Sequence, residues 1–260
     1  MSVAELRVRQ RRGTIALVSR EVRRVLSLWT QTILPAVITG WLFLAVFGGA
    51  LGGRIRQIEG LDYLDFILPG LLVMTVASQS VANASTSLFQ AKNEGYIEDV
   101  LTAPLSAWQI VAAYMAGAFV RALTAALIIA IGAAPFTGAI DRPLVVAVAL
   151  LLAALVFSAL GTIIGVWADT FDQHSFVTSI VVTPLALVGG VFYSAQMLGE
   201  PWSTLTKLDP IYYLVDATRF GFTSFNETPV GLSLGVAALA AAASFAAAAT
   251  IVARGWRLKP

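Results

Sequence analysis

Residues 93–106 read NEGYIEDVLTAPLS, a charged island between two long apolar runs, and the reading of this stretch decides the fold. Asn93 fits a helix cap, and Glu94, Glu98 and Asp99 fall in the early turns, where the helix dipole favours negative charge. Ile97, Val100 and Leu101 are three and four apart, so a short helix here carries one apolar ridge. Pro104 stops it. Ser106 and Gln109 then fit a capping box for the next helix, with Leu105 and Ile110 placed as a hydrophobic staple. The spacing predicts a short amphipathic helix, a hard corner and a long helix. A membrane protein moved by something in the cytosol needs such a rigid, exposed handle, although a well-capped surface loop has the same spacing.

The rest of the composition says what the handle is joined to. Of 260 residues, 58% are hydrophobic and 12% charged, and the mean hydropathy is +0.80. A soluble domain carries about 25% charged residues, so this chain is an integral membrane protein. Cysteine is absent, which excludes disulfides, thiol catalysis and thiolate metal sites. One histidine, His174, cannot build a histidine metal cage and makes a Ser-His-Asp triad a poor reading. The first 30 residues are arginine-rich and lack the short apolar core of a cleavable signal, so insertion is expected to use the first span.

In chain order, residues 1–13 carry Arg7, Arg9, Arg11 and Arg12 and read as a mobile basic arm. Over 15–29, Ile15, Val18, Val22, Val25, Leu26 and Trp29 share one face, and Arg20, Glu21, Arg23 and Arg24 the other. This predicts an amphipathic helix lying on the cytoplasmic leaflet. Six spans are expected at about 31–51, 66–90, 107–133, 143–168, 174–193 and 229–253. The second turns polar after Ala77 (SQSVANASTS), which favours close helix packing over a polar pathway.

Lysine and arginine placement orients the layout. Seven arginines precede the first span, Arg254, Arg257 and Lys259 follow the last, and Lys92 joins them on the inside. Arg54, Arg56, Arg142, Lys207 and Arg219 fall outside. Both termini are therefore expected in the cytoplasm, with residues 1–30 as arm and interfacial helix, 31–253 as one transmembrane domain and 254–260 as a tail. Residues 93–106 then face the cytosol. Between the fifth and sixth spans, Gly189, Gly190 and Gly199 loosen the chain, and Asp209-Pro210 opens a helix that is aromatic and apolar (IYYLVDATRFGF, 211–222) but too short to cross. Asp216 and Arg219 are spaced to pair within it. Residues 197–225 read as short helices dipping into the outer leaflet, the alternative being a helix resting on the outer surface.

An ATPase would need G-x-x-x-x-G-K-[ST], but none of the three lysines follows a glycine. H-E-x-x-H and G-x-S-x-G are absent. His174 beside Asp172 reads as ordinary turn hydrogen bonding, and Gly161 with Gly165 as helix packing. Arg121 lies within the third span, where a cation costs about 2.5–3.5 kcal/mol on insertion scales. It must pair, with Gln79 or Asn83 of the second span as candidates, or snorkel, or serve a transport path.

These pieces resemble the permease subunits of type-2 ABC exporters, in the branch that exports drugs, lipids and polysaccharides in bacteria. The motif of that family around its coupling helix, roughly E-G-T-hydrophobic-E-x-L-x-x-(small)-P, is matched by Glu94, Gly95, Ile97, Glu98, Leu101 and Pro104, with Tyr96 departing from the usual small polar residue. GGVFYS at 189–194, which includes Tyr193, and LDPIYYLVDATRFGF at 208–222 are similar to its downstream signature. The resemblance implies an all-α membrane protein with an N-terminal amphipathic helix, six transmembrane helices, a cytoplasmic coupling helix between the second and third, and re-entrant helices before the sixth. It implies a non-catalytic subunit of the inner membrane, with no cofactor or metal of its own. ATP and magnesium would sit on two copies of a phosphate-loop ATPase. The chain would pair with itself or with a related permease, in the lipid bilayer, with no nucleic-acid partner. Asn93 to Asp99, Leu101 and Pro104 would couple to the ATPase. An outer gate would hold Tyr193, Asp209, Pro210, Tyr212, Tyr213, Asp216 and Arg219. An ATP-independent secondary transporter is the alternative, but it would more often show internal repeats and midplane charges. An intramembrane enzyme lacks its catalytic groups.

Overall fold

The architecture follows from hydropathy and punctuation. The structure, a computed structural model, describes residues 3–51 and 57–258. Helix α1 (Val3–Ser27) leads through α2 (Trp29–Thr32) into α3 (Leu34–Ala45), which a π-helical turn extends (Val46–Leu51). After it come α4 (Tyr63–Asn93), α5 (Ile97–Thr102), α6 (Ala107–Ala133), α7 (Pro143–Trp167) and α8 (Phe171–Val188). The chain closes with α9 (Trp202–Leu208), α10 (Pro210–Thr223) and α11 (Val230–Ala253). Five stretches among the described residues are long and apolar enough to cross a bilayer: Trp29–Gly48, Tyr63–Asn93, Ala107–Phe136, Pro143–Trp167 and Val230–Ala253. Each matches an expected span within a few residues.

The stretch expected as a fifth span, 174–193, differs. Helix α8 starts earlier, at Phe171, where Thr170 caps it by accepting from the Gln173 amide, and ends at Val188 before Gly189. Its 18 residues extend about 27 Å. The all-helical expectation also meets one exception, a two-residue antiparallel pairing of Gln57–Ile58 (β1) with Leu61–Asp62 (β2). Arg54, Arg56 and Lys259, which entered the charge argument, lie outside the described residues.

Helix α4 is the axis of the bundle. Its small polar run faces inward, with Ser80, Asn83, Ser85 and Ser87 all buried. The reason is packing: a Cβ at Gly161 would lie 2.7 Å from the Val81 carbonyl oxygen, and one at Gly165 2.6 Å from that of Ser85. The two glycines let α7 rest directly on the α4 backbone, as their spacing predicts.

The N-terminal expectation needs correction. Helix α1 is continuous from Val3, so residues from Val3 onward are not a loose arm. Its buried stripe runs through Leu17, Glu21 and Val25, while Ile15, Leu26 and Trp29 of the expected apolar face are exposed. Helix α1 packs on α6, with Gly117 admitting it so closely that a Cβ there would lie 3.2 Å from the Glu21 carbonyl oxygen. The inward face is therefore set by partners on α4 and α6 rather than by hydrophobicity alone.

Candidate functional site

The island 93–106 forms a sharp corner at one end of the bundle, built differently from the sequence expectation in one respect. Asn93 does not cap α5; it is the last residue of α4, and the Glu94 amide still donates to the Gln90 carbonyl at 2.9 Å. The chain turns at Gly95, whose φ of +82° suits a residue without a Cβ. Tyr96 then precedes α5 with no side-chain capping bond. Ile97 and Val100 are buried and Leu101 half-buried, as the ridge predicts, while Glu94, Glu98, Asp99 and Pro104 stay exposed. At the far side the Ser106 amide donates to Gln109 Oε1 at 2.9 Å in a capping-box arrangement. The corner is thus an acidic surface on an apolar floor, stiffly joined to α4 and α6.

Two polar clusters brace it, and neither was legible as a cluster. On one side Glu21, only 1% exposed, is bound by Arg20 (2.9 Å), Arg24 (3.2 Å) and the Ser87 hydroxyl, which donates at 2.5 Å. Arg20 also donates to the Tyr114 hydroxyl at 3.3 Å and lies over the Tyr96 ring, 5.0 Å from its centroid. Tyr96, the departure from the family pattern, therefore turns back toward α1, and burial pushes its phenol above the ordinary value. On the other side, Lys92 donates to the Val166 and Ala168 carbonyls at 2.7 and 3.0 Å, capping the C-terminus of α7. Asp169 joins Lys92 (3.3 Å) to Arg257 (3.2 Å), and Leu258 is buried with Ile97 and Val100.

Inside the bundle, Arg121 donates to Gln79 Oε1 at 2.7 Å. Asn83, the other expected partner, instead accepts from Arg24 at 3.4 Å. His174 lies in the first turns of α8, with Nε2 2.9 Å from Ser85 Oγ and its ring stacked on Phe89. Ser85 already donates to the Val81 carbonyl at 2.6 Å, so this pair is hydrogen-bonding for helix packing and not a nucleophile with its base.

At the opposite end, the expected Asp216–Arg219 pair does not form. Arg219, 1% exposed, faces Glu227 at 3.6 Å, donates to the Phe66 and Gly190 carbonyls at 3.2 and 3.0 Å, and covers the Phe66 ring. Asp216 accepts from the Glu227 amide (2.7 Å), the Thr228 hydroxyl (2.5 Å) and the Ser233 hydroxyl (2.8 Å), which anchors the start of α11. Glu227 also accepts from the Ala195 amide at 3.0 Å and the Tyr212 hydroxyl at 3.5 Å. Asp209 caps α10 as expected, accepting from the Ile211 amide at 2.8 Å beside Pro210. Tyr193 donates to the Val188 carbonyl at 2.7 Å, and Tyr213 is half-buried, edge-on to Tyr212. Helix α10 is buried along most of its length, so it is inserted in the bundle and does not rest on its surface.

The comparisons with known proteins agree over most of the chain. Residues 12–223 match the family described as ABC-2 type transporter. The chain is 36% identical over 244 residues to the inner membrane transport permease YadH of Escherichia coli K12, covering 93% of this chain and 94% of that protein. It is 23% identical over 224 residues to nodulation protein J of Neorhizobium galegae, covering 84% and 85%. Against nodulation protein J of Rhizobium meliloti, identity is 22% over 219 residues, covering 82% and 84%.

Proposed function

This chain belongs to the ABC-2 type transporter family of membrane permeases, and from that premise we propose that it is the transmembrane subunit of a bacterial exporter. Membership makes it a non-catalytic, multi-pass subunit and implies a partnering ATPase. The finer reading places it in the inner membrane, as the name of the relative from E. coli has it. It has six spans, α8 included, with a cytoplasmic segment at 1–30 that is helical from Val3, transmembrane domain at 31–253 and tail at 254–260, both termini cytoplasmic. Two copies, or one copy and a related permease, pair in the bilayer with two ATPase subunits that hold ATP and magnesium. The cargo is amphipathic, of a drug, lipid or glycan kind.

The observation that carries this reading is the α5 corner. Its exposed Glu94, Glu98 and Asp99 stand on a floor of Ile97 and Val100, and the clusters around Glu21 and Asp169 tie it to α1, α4, α6, α7 and the segment after α11. A push on α5 from a docked ATPase therefore reaches several helices at once. The outer segment 197–225, anchored by Asp216, Arg219 and Glu227, serves as the gate at the other face, with Arg121, Gln79 and Asn83 between the two.

Charge reversal tests the corner. Glu94→Lys and Glu98→Lys each weaken ATPase docking by about tenfold, equivalent to ~1.4 kcal/mol, and lower ATP-driven efflux in step. Complex yield and efflux equal to wild type in both variants refute the assignment.

A further inference from the structure

Gln79 and Asn83 stand one turn apart on α4, and Gly117 and Arg121 one turn apart on α6. Residues four apart share a helix face. Arg121 reaches Gln79, and a Cβ at Gly117 would lie 3.1 Å from Asn83 Nδ2, so the two pairs face each other rung by rung. Arg24, from the end of α1, closes this ladder on Asn83.

The ladder has more positive charge than its partners offset. Glu21 is the carboxylate that answers Arg20 and Arg24, and it is shared between them. Among the described residues Arg121 is in no ion pair, and its guanidinium donates to the neutral Gln79. Donors are left over too: Arg24 Nε and Asn83 Nδ2 are buried without a hydrogen-bond acceptor, and Asn83 is 2% exposed. Buried donors beside surplus cations call for an acceptor that is also an anion. Next to Gln79, a cavity of about 250 Å³ runs between α3 and α4. Thr39, Thr75 and Ser78 line it together with Phe43, Leu71 and Met74, so its wall is itself amphipathic.

We propose that the ladder and this cavity form a binding site for an anionic amphiphile drawn from the bilayer. Its phosphate or carboxylate lies on Arg24, Asn83 and Arg121, and its apolar chain follows the cavity between α3 and α4. Guanidinium groups suit the task, because they stay charged and match the oxygens of either group with paired N–H donors. The inference deepens the permease reading and rests on it for the identification of the amphiphile as cargo.

The test uses the permease with whatever ATPase it retains, in nanodiscs of phosphatidylcholine. These are doped with photoreactive phosphatidylglycerol or with a photoreactive phosphatidylcholine of the same chains. The expected result is labelling of α3, α4 or α6 peptides around Gln79, about tenfold stronger for the anionic probe. Arg24→Gln and Arg121→Gln should each bring it down to the zwitterionic level, while Arg121→Lys retains most of it. Arg7→Gln should leave it unchanged. Thermal unfolding of each variant separates lost binding from lost fold. Equal labelling by both probes, or labelling that survives both glutamine changes in folded protein, overturns the proposal. Displacement of the probe by millimolar inorganic phosphate alone overturns the amphiphile part, since a free anion would then suffice. Labelling needs no ATP. Intact labelling without a co-purifying ATPase therefore strikes the permease reading and spares the site, and the converse strikes the site alone.

Discussion

Arg219 shows how far side-chain reading reaches. The i, i+3 spacing of Asp216 and Arg219 predicts a pair, yet both are engaged elsewhere: Arg219 faces Glu227, and Asp216 holds the residues that open α11. Spacing reports only neighbours on one helix, whereas Glu227 arrives through the turn between α10 and α11. Glu21 eluded the sequence for a similar reason. A glutamate among arginines reads as one side of a solvated face, and its burial depends on Ser87 and on the room left by Gly117 on other helices. Arg121 was more legible, because a cation in a span requires a partner and the second span offered few. Removing one member of a buried ion pair strands the other, at a cost of about 3–5 kcal/mol. Glu227→Gln is therefore expected to lower the stability of the purified protein by that order, read as denaturant or thermal unfolding in detergent. Lys207→Gln, on exposed α9, should leave it within about 0.5 kcal/mol. Matching unfolding curves for Glu227→Gln and wild type would mean that the buried pair contributes nothing.

Elements were easier to read than contacts. The long helices follow from apolar runs, and the end of α5 and the start of α6 from Pro104 and the Ser106–Gln109 spacing. Residue type puts the start of α5 three residues early, because Asn93 is a good cap, but α4 continues through it and Gly95 makes the turn. Glycine carries two separate roles here. At Gly95 a Cβ would meet nothing within 4 Å, so Gly95→Ala costs only the left-handed backbone strain, about 1–2 kcal/mol. At Gly161 the obstacle is the α4 backbone itself, which cannot rotate away. Gly161→Leu should therefore be the more damaging, with overpacking of about 3 kcal/mol or more and loss of folded yield in detergent. Equal yields for the two variants would contradict the packing of α7 on α4.

For the whole molecule, five of the six expected spans are helices long and apolar enough to cross a bilayer among the described residues. Helix α8 is the difficult one, since Asp172, Gln173 and His174 open it and Pro184 lies inside it. The placement of arginine and lysine gave an orientation, but it could not show that the cations near the α5 corner are structural, with Lys92 capping α7 and Arg257 holding Asp169. The central claim is that this chain is a permease moved through its α5 corner by a separate ATPase. Affinity purification from the native host in mild detergent, with mass spectrometry of what is retained, tests it most directly. The account predicts a phosphate-loop ATPase in equal stoichiometry with the permease, lost when Glu94 and Glu98 are both reversed to lysine. A chain that purifies alone and still transports without ATP would contradict it.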